Sequence, residues 1–390
     1  MPRFALFLKG GIIASGTSGQ DKWMTCDFLQ LAAPGVRGLE PYQPGKPIEE
    51  LAREYGLTDI VKLASNENPL GPSPQALDAL RGTESSLHRY PDGGGFVLKK
   101  ALAEHLDIAM EQITLGNGSN DVLELAARAF ATPETEVIFS EHAFAVYPIV
   151  TQAVGAKAIV TPAKDWGHDL SAMARAVSEY TRLIFIANPN NPTGTWVDAE
   201  SLKQLLETTP SHVLVVVDEA YFEYVETPGY PNCLSWLSDF PNLIITRTFS
   251  KIYGLAGLRV GYAVSHPDVA NLMNRVRQPF NVNTFALAAA TAALNDEAHV
   301  VRSRTVNQTG LEQLTKGLVE LGLRFIPSIG NFLTVEFDRP GLVIYQALLG
   351  EGLIVRPVAN YGLPNHLRIT VGLEQENARF LAALAKVLGR

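Results

Sequence analysis

Lys251 stands in a segment whose residue types suit covalent chemistry beside a phosphate group. Two hydroxyl side chains, Thr248 and Ser250, come before it, glycines follow it, and Arg259 comes eight residues later. Hydroxyl and guanidinium groups donate hydrogen bonds to phosphate oxygens, and a lysine amine can form a Schiff base with a carbonyl compound. A single lysine is ordinarily a solvated surface residue, so this prediction depends on the whole segment.

A carboxylate, Asp218, follows the apolar run 213–217, which has the pattern of a buried strand. An unpaired carboxylate inside a protein costs on the order of several kcal/mol, so Asp218 is expected to face a cationic or hydrogen-bonding group. The alternatives are a structural ion pair or a metal ligand of the Walker-B kind. No G-x-x-x-x-G-K-[ST] motif accompanies Asp218, which disfavours the metal ligand.

Two further loops follow predicted strands. Residues 116–121 lead into a helix, where glycines and the helix N-terminus favour an anion, although a plain turn capped by Ser119 or Asn120 is the alternative. Residues 188–194 contain two Asn-Pro units and can equally be a rigid turn. Ligands of open parallel sheets bind beyond the carboxyl ends of the strands, so these loops and Asp218 are the first candidates for a site.

Seven short apolar runs predict the strands that position these loops. They alternate with helical patterns, such as those over residues 122–130 and 199–206, and they are continuous rather than alternating in polarity. Strands buried on both faces have this pattern, as in a mostly parallel sheet between two layers of helices. The runs cover residues 113–115, 136–139, 158–160, 183–186, 213–217, 243–246 and 260–264. The sequence therefore predicts an α/β domain with a seven-stranded sheet.

The pattern changes after residue 285. One long helical stretch, 285–322, precedes strand candidates at 332–337 and 367–371, with a helix candidate at 343–349 between them. This succession indicates a smaller α+β domain, and a helix near 49–54 is expected to pack on it. We predict four parts: an N-terminal extension (1–23), an arm that includes part of the smaller domain (24–62), a large domain (63–285) and the smaller C-terminal domain (286–390).

The composition excludes several classes of protein. The chain has 390 residues, enough for two domains, and its 46% hydrophobic and 18% charged residues are typical of globular proteins. A net charge of -8 argues against nucleic-acid binding, which needs clustered Lys and Arg. The two cysteines, Cys26 and Cys233, have neither metal-ligand nor disulfide spacing, so we expect no metal and a reducing cytoplasm.

The N-terminal residues have only a weak targeting pattern. Apolar residues 4–8 and 12–14 follow Arg3, but Lys9 separates them, and the run is too short to span a bilayer. Since no convincing cleavage site follows, we expect neither a secretory signal nor a membrane anchor. Residues 1–23 are interpreted as a disordered extension, with Met24 as an alternative start.

The chain resembles the class I and II aminotransferases of fold type I, which use pyridoxal 5′-phosphate (PLP). The resemblance runs from about Met24 to the C-terminus, and within the family it is strongest to the histidinol-phosphate aminotransferases. Each matching segment is short, but their common order and spacing argue against a chance match. The segments are residues 41–47, 63–71, 89–92, 190–194, 218–221, 250–251, 257–259 and 367–372.

The resemblance implies how the chain binds and uses PLP. Lys251 is expected to form a Schiff base with the cofactor and then to act as acid and base, while Asp218 keeps the pyridine nitrogen protonated. Asn191 and Tyr221 are expected to bind the phenolic oxygen. The phosphate is expected to be held by Ser119, Asn120, Ser250 and Arg259, with Thr248 as a weaker candidate and Tyr90 reaching it from the neighbouring subunit of a homodimer.

Further positions are implied for ring stacking and for the substrate. Phe144, rather than Tyr147, is expected to stack on the cofactor ring, where relatives usually have tyrosine. Arg368 is expected to bind the carboxylate of glutamate in one half-reaction and the substrate phosphate in the other, because a guanidinium group suits both anions. Arg356 and Tyr42 are expected to assist with the phosphate, although Arg356 can equally belong to a surface ion pair.

The implied reaction is the ping-pong transamination of L-histidinol phosphate and 2-oxoglutarate to imidazole-acetol phosphate and L-glutamate, a step of histidine biosynthesis. The alternatives within the fold are an aromatic or broad-range amino acid aminotransferase and a PLP-dependent phospho-amino-acid decarboxylase. A non-catalytic PLP-binding module is disfavoured because Lys251, Asp218, Tyr221 and Arg259 are all present. A Rossmann dehydrogenase is disfavoured because no G-x-G-x-x-G follows a first strand.

Overall fold

The structure, a computed structural model, describes residues 27–390. The predicted extension 1–23, the alternative start Met24 and Cys26 lie outside the described residues. The helices are α1 (Phe28–Leu31), α2 (Pro34–Arg37), α3 (Ile48–Tyr55), α4 (Pro74–Arg81), α5 (Phe96–Leu106), α6 (Ser119–Phe130), α7 (Val146–Ala153), α8 (Leu170–Arg175), α9 (Ala199–Thr208), α10 (Pro267–Val276), α11 (Thr284–Leu294), α12 (Glu297–Glu320), α13 (Gly341–Gly350) and α14 (Glu374–Leu388). None of them is long and apolar enough to cross a bilayer.

The strands form a seven-stranded sheet, a four-stranded sheet and two short pairs. They are β1 (Val61–Lys62), β2 (Ile113–Gly116), β3 (Glu136–Ser140), β4 (Lys157–Thr161), β5 (Ala163–Lys164), β6 (Gly167–His168), β7 (Thr181–Ala187), β8 (Leu214–Asp218), β9 (Leu243–Thr248), β10 (Gly261–Ser265), β11 (Arg324–Ile326), β12 (Phe332–Glu336), β13 (Leu353–Ile354), β14 (Arg356–Pro357) and β15 (His366–Thr370).

The large sheet has the order β2-β10-β9-β8-β7-β3-β4 and contains all seven predicted strands. Only β10 runs antiparallel to its neighbours, so the predicted α/β class with a mostly parallel sheet is confirmed. Because β10 is reversed, its first residues lie at the same edge as the carboxyl ends of the other six strands.

Both faces of this sheet are buried. Along β8, Val215 and Val217 pack into one hydrophobic cluster and Val216 packs into the other, on the opposite face. Successive side chains of a strand point to opposite faces, so a strand with helices on both sides needs apolar residues at every position. The edge strand β4 is the exception, since Val160 is 57% exposed there.

The smaller sheet has the order β11-β12-β15-β14, and its strands pair antiparallel. Its core includes residues of α12, α13 and α14. The N-terminal arm joins this region, because β1 pairs parallel with β13. Leu51 of α3 also packs with Leu349 and Ile354.

The predicted single helix over 285–322 is wrong, because the structure has two helices, α11 and α12, separated by Asn295 and Asp296. The side chain of Asp296 accepts a hydrogen bond from the backbone N–H of His299 and so caps α12, a role for which aspartate is favoured. The alanines of α11 pack into the core of the large sheet together with α4 and α5. We therefore propose that the domain boundary lies after Leu294 rather than at residue 285.

Candidate active site

A cavity lies at the carboxyl edge of the large sheet, where the smaller sheet and the N-terminal arm close over it. Loops after β2, β7, β8 and β9 reach this edge, as does the beginning of β10. The cavity brings together every predicted cofactor- or substrate-binding residue except Tyr90. These are Tyr42, Ser119, Asn120, Phe144, Asn191, Asp218, Tyr221, Thr248, Ser250, Lys251, Arg259, Arg356 and Arg368.

Lys251 projects into the cavity from the loop after β9. Its Nζ donates a hydrogen bond to the backbone oxygen of Ser65 at 3.0 Å and lies 5.7 Å from the ring centroid of Tyr221. Burial, followed by the positive charge of Arg368, lowers the pKa of Lys251 to about 7. Much of this amine is therefore unprotonated near neutral pH and can act as a nucleophile or base.

Asp218 ends β8 and is 5% exposed. The hydroxyl of Thr246 donates to one of its oxygens at 2.8 Å, and the hydroxyl of Tyr147 donates to the other at 3.0 Å. Burial raises the pKa of Asp218 to about 6 even though both hydrogen bonds favour the ionised form. Among residues 27–390, no ion pair neutralises Asp218, so this carboxylate can accept a cationic ligand group.

Two aromatic residues that follow β3, Phe144 in the loop and Tyr147 in α7, occupy different places. Phe144 lines the cavity, and its ring meets that of Tyr147 edge-on, with the centroids 5.9 Å apart. Tyr147 is fully buried and stacks on Phe185 at 4.8 Å. The ring at the cavity wall is therefore Phe144, and Tyr147 acts on Asp218 from outside the cavity.

The N-terminus of α6, Ser250 and Arg259 form a cradle for an anion. Helix α6 has Gly118 as its N-cap, with no side-chain cap, so the alternative of a turn capped by Ser119 or Asn120 is wrong. Gly118 has a φ of 82°, which favours glycine, and a Cβ here would also approach the guanidinium of Arg259. Arg259 also donates to the hydroxyl of Ser250 at 3.3 Å, which places cationic and hydroxyl donors beside the helix N-terminus.

The role of Thr248 as a weaker phosphate ligand stays a prediction. Its hydroxyl lines the cavity, but it accepts a hydrogen bond from the backbone N–H of Ser250 at 3.1 Å. This bond orders the turn that leads to Lys251.

A tyrosine and an asparagine on neighbouring loops supply further polar groups. Tyr221 is 2% exposed, and its hydroxyl accepts a hydrogen bond from Nδ2 of Asn66 at 2.8 Å. Burial raises the pKa of Tyr221 to about 12, so the hydroxyl keeps its proton at neutral pH. Oδ1 of Asn191 accepts from Arg368 at 2.5 Å.

Two arginines from the smaller sheet face the same cavity. Arg356 on β14 and Arg368 on β15 are paired in register, and they are 9% and 6% exposed. Nε of Arg368 is buried without a hydrogen-bond partner, and burial lowers the pKa of this guanidinium. Arg356 donates to the backbone oxygen of Gln43 at 2.7 Å and lies 5.6 Å from the ring of Tyr42. Arg356 is thus a buried cavity residue, and the alternative of a surface ion pair is wrong.

Tyr90 lies outside the cavity. It is 82% exposed, and its ring stacks on Phe280 with the centroids 4.7 Å apart. Among residues 27–390 it forms no hydrogen bond with a cradle residue and does not line the cavity, so a role at the phosphate requires the neighbouring subunit.

The model of the family described as "Aminotransferase class I and II" matches residues 58–384. The chain belongs to this family. Among curated relatives, this aminotransferase is 62% identical over 361 residues to histidinol-phosphate aminotransferase 1 of Nitrosococcus oceani, covering 93% of this chain and 98% of the relative. It is also 62% identical over 369 residues to histidinol-phosphate aminotransferase 2 of Pseudomonas fluorescens Pf-5, covering 94% and 100%.

Solved structures show the same relationship. The histidinol-phosphate aminotransferase of Sinorhizobium meliloti, in complex with pyridoxal 5′-phosphate, has a TM-score of 0.83 and 29% identity, covering 92% of this chain and 97% of that one. Aspartate aminotransferase of Thermus thermophilus, with maleate, has a TM-score of 0.79 at 22% identity, covering 91% and 99%. The second likeness shows that the two proteins share the fold.

The residues of this aminotransferase fit PLP. The cofactor's phosphate needs clustered donors that approach closely, and a Cβ at Gly118 would fill that space. A protonated pyridine nitrogen needs an anionic partner, and Asp218 is a buried carboxylate without a cation among the described residues. An aldehyde needs an unprotonated amine, which Lys251 provides.

The sequence did not predict the hydrogen bonds of three buried polar residues of this aminotransferase. Tyr147 and Thr246 donate to Asp218, and Asn66 donates to Tyr221. Asn66 lies in the matching segment 63–71, but no spacing rule links it to a residue 155 positions later. Thr246 lies beside Asp218 because β9 pairs with β8 in the sheet. This neighbour could be recognised only once the order of the strands was known.

Proposed function

We propose that this aminotransferase transfers the amino group of L-histidinol phosphate to 2-oxoglutarate, with PLP as its cofactor. The observation that carries the proposal is one cavity that holds both a low-pKa lysine and two buried arginines, Arg356 and Arg368. The relatives at 62% identity, both called histidinol-phosphate aminotransferases, support the choice of substrate.

The cofactor-binding residues have distinct roles in this proposal. When bound, PLP supplies the electron sink that allows the carbon–hydrogen bond beside the amine to break. Lys251 binds the cofactor and then moves a proton, for which its pKa of about 7 is suited. Asp218 holds a proton on the pyridine nitrogen, and the cradle of Ser119, Asn120, Ser250 and Arg259 holds the phosphate.

The two arginines bind the anionic groups of the substrates. Arg368 orients the carboxylate of glutamate in one half-reaction and the phosphate of histidinol phosphate in the other, since its unpartnered Nε can still donate. Arg356, with Tyr42 beside it, adds a second positive charge suited to a phosphate dianion. Because both substrates use one cavity in turn, ping-pong kinetics are expected.

The test is a single-turnover spectrum of the purified PLP-loaded protein, mixed separately with L-histidinol phosphate, L-glutamate and L-phenylalanine. Rapid loss of the visible absorbance band with the first two and slow loss with phenylalanine is expected. A preference for phenylalanine would instead place the protein among aromatic aminotransferases. Release of carbon dioxide would indicate a decarboxylase, and a Lys251→Ala variant with the same reactivity would overturn the role of the lysine.

We further propose a homodimer in which Tyr90 reaches the cofactor phosphate of the partner subunit. The exposed aromatic pair of Tyr90 and Phe280 supports this arrangement, because large apolar rings on a surface often mark an interface. Sedimentation should give a dimer, and Tyr90→Phe should weaken PLP binding. An active monomer, or unchanged PLP affinity in Tyr90→Phe, would overturn this assembly. A cytoplasmic location stays a prediction of the sequence.

A further inference from the structure

Asn66 is a buried asparagine that connects the large sheet's loops to the smaller sheet beside the cavity. It is 0% exposed and has a left-handed backbone, with φ of 55°. Its Nδ2 lies 2.8 Å from the hydroxyl oxygen of Tyr221, and Nδ2 of Asn331 donates to its backbone oxygen at 3.0 Å. Its other partner is Thr370, which follows Arg368 by two residues and therefore lies on the same face of β15.

Thr370 determines which way the amide of Asn66 faces. The backbone N–H of Asn66 donates to Oγ1 of Thr370 at 2.9 Å, and the same Oγ1 lies 3.1 Å from Oδ1 of Asn66. A threonine hydroxyl has one proton and two lone pairs. Since one lone pair receives the backbone N–H, the proton points to an acceptor, which is Oδ1. A reversed amide could donate to the second lone pair, but the threonine proton would then have no acceptor among the described residues, so Nδ2 faces Tyr221 and donates to it.

We propose that Asn66 is a positioning residue that leaves the proton of Tyr221 free to be donated into the cavity. A tyrosine hydroxyl can accept hydrogen bonds and donate one. Because Asn66 already donates to the oxygen of Tyr221, the tyrosine proton is directed to another acceptor. A reversed amide would itself accept that proton, and Tyr221 would have none left for a ligand.

The ligand atom that receives this proton is the phenolic oxygen of PLP, so the inference rests on the proposed function. The raised pKa of Tyr221, about 12, keeps the hydroxyl protonated and so preserves it as a donor. A hydrogen bond to the phenolic oxygen stabilises the negative charge of that oxygen. The nitrogen that Lys251 contributes then holds a proton less strongly. Loss of the donor should therefore raise the pH midpoint of the cofactor's visible absorbance change.

The test is the substitution Asn66→Asp, measured in the PLP-loaded protein by a spectroscopic pH titration. Aspartate has the same shape and tolerates the left-handed backbone, but its carboxylate can only accept the tyrosine proton. We expect the midpoint to rise by about one pH unit or more, because Tyr221 then donates its proton to the new carboxylate instead of to the cofactor. The added negative charge alone also raises the midpoint, so the substitution is repeated in a Tyr221→Phe protein, where the rise should be less than half as large.

Thr370 provides a matched pair of variants. Thr370→Val removes the hydroxyl that orients Asn66 and should raise the midpoint, whereas Thr370→Ser keeps the hydroxyl and should leave it unchanged. Urea unfolding of the cofactor-free proteins tests the merely structural role, which would lower stability without moving the midpoint. If Asn66→Asp does not fold, the comparison of Thr370→Val with Thr370→Ser decides.

Two results would overturn the inference. One is an equal rise for Asn66→Asp with and without the hydroxyl of Tyr221, which would mean that Asn66 acts only through charge. The other is an unchanged midpoint in Asn66→Asp or in Thr370→Val, which would mean that the amide is reversed. If the unmodified protein binds PLP without any visible band, the proposed function fails instead, and the two failures are thus distinguishable.

Discussion

Tyr147 donates a hydrogen bond to Asp218 at 3.0 Å from outside the cavity. The tyrosine is fully buried, so this hydroxyl serves the carboxylate and no solvent molecule competes for it. A hydrogen bond to an ionised group contributes about 1.5–3 kcal/mol. Tyr147 therefore helps to keep Asp218 charged in a place where burial favours the neutral acid.

The substitution Tyr147→Phe should weaken PLP binding by about tenfold, since Asp218 loses one of its two donors and pairs less well with a protonated pyridine nitrogen. The dissociation constant is measured by titrating cofactor-free protein with PLP. The ring remains, so the stacking on Phe185 is kept and serves as an internal control for folding. Unchanged affinity would show that the hydrogen bond from Thr246 alone is enough to keep Asp218 ionised.

The substitution Asp218→Asn should stabilise the cofactor-free protein at pH 7.5 while abolishing transamination. Burial raises the pKa of Asp218 to about 6, above the ordinary 3.8, so the fold favours the protonated acid. The free energy of unfolding of the parent therefore falls as the pH rises from about 4 to about 6, by on the order of 2–3 kcal/mol. At pH 4 the two proteins should be equally stable, as measured by urea unfolding.

The matched control for this prediction is Asp198→Asn at the N-cap of α9. Hydrogen bonds from the backbone N–H and side chain of Ser201 lower the pKa of Asp198. The pH dependence of stability therefore has the opposite sign from that of Asp218. Asp198→Asn should lower the free energy of unfolding at pH 7.5 but not at a pH below the pKa of Asp198. A gain in stability for both variants would contradict the account.

Capture of PLP by the cofactor-free protein should accelerate as the pH rises through about 7, because only the unprotonated amine of Lys251 reacts with an aldehyde. The rate is followed by stopped-flow absorbance. Pyridoxamine 5′-phosphate, which has no aldehyde, should bind without this midpoint. A midpoint near 10.5, the ordinary value for lysine, would contradict the effect of burial on this residue.

The substitution Arg356→Gln should lower kcat/KM for L-histidinol phosphate by about 10- to 100-fold, which corresponds to the loss of a charged hydrogen bond. The glutamate half-reaction should change much less, because a carboxylate needs only Arg368. The matched variant Arg368→Gln should impair both half-reactions. Equal losses of kcat/KM for the two substrates in Arg356→Gln would show that each arginine binds both the phosphate and the carboxylate.

The strands and the position of the cavity could be predicted from the sequence because burial on both faces leaves a local signature. Val215, Val216 and Val217 fill both cores from consecutive positions, and such a run is visible without any partner. Residues that directly follow the runs, such as Asp218, then lie at the edge where ligands bind.

The hydrogen bonds behind the cavity could not be predicted, because they join residues that are distant in sequence. Asn66 and Thr370 are 304 positions apart, and Tyr147 and Asp218 are 71 apart. Tyr147 occupies an apolar helical position, where a tyrosine is ordinarily a core residue. The break between α11 and α12 is different, since Asn295 and Asp296 are typical helix-boundary residues and a capping rule applied there would have found it.

The reversed strand β10 is the last strand of the large sheet to be synthesised. It lies between β2 and β9, and a Cβ at its first residue, Gly261, would overlap the backbone of Ser119. The ribosome makes the start of α6 early in synthesis. The strand that packs beside it, β10, emerges only after all the other strands of the large sheet. A nascent chain that ends before β10 therefore lacks part of the support for the cradle that holds the cofactor's phosphate, and PLP can stabilise the chain only after β10 has been made.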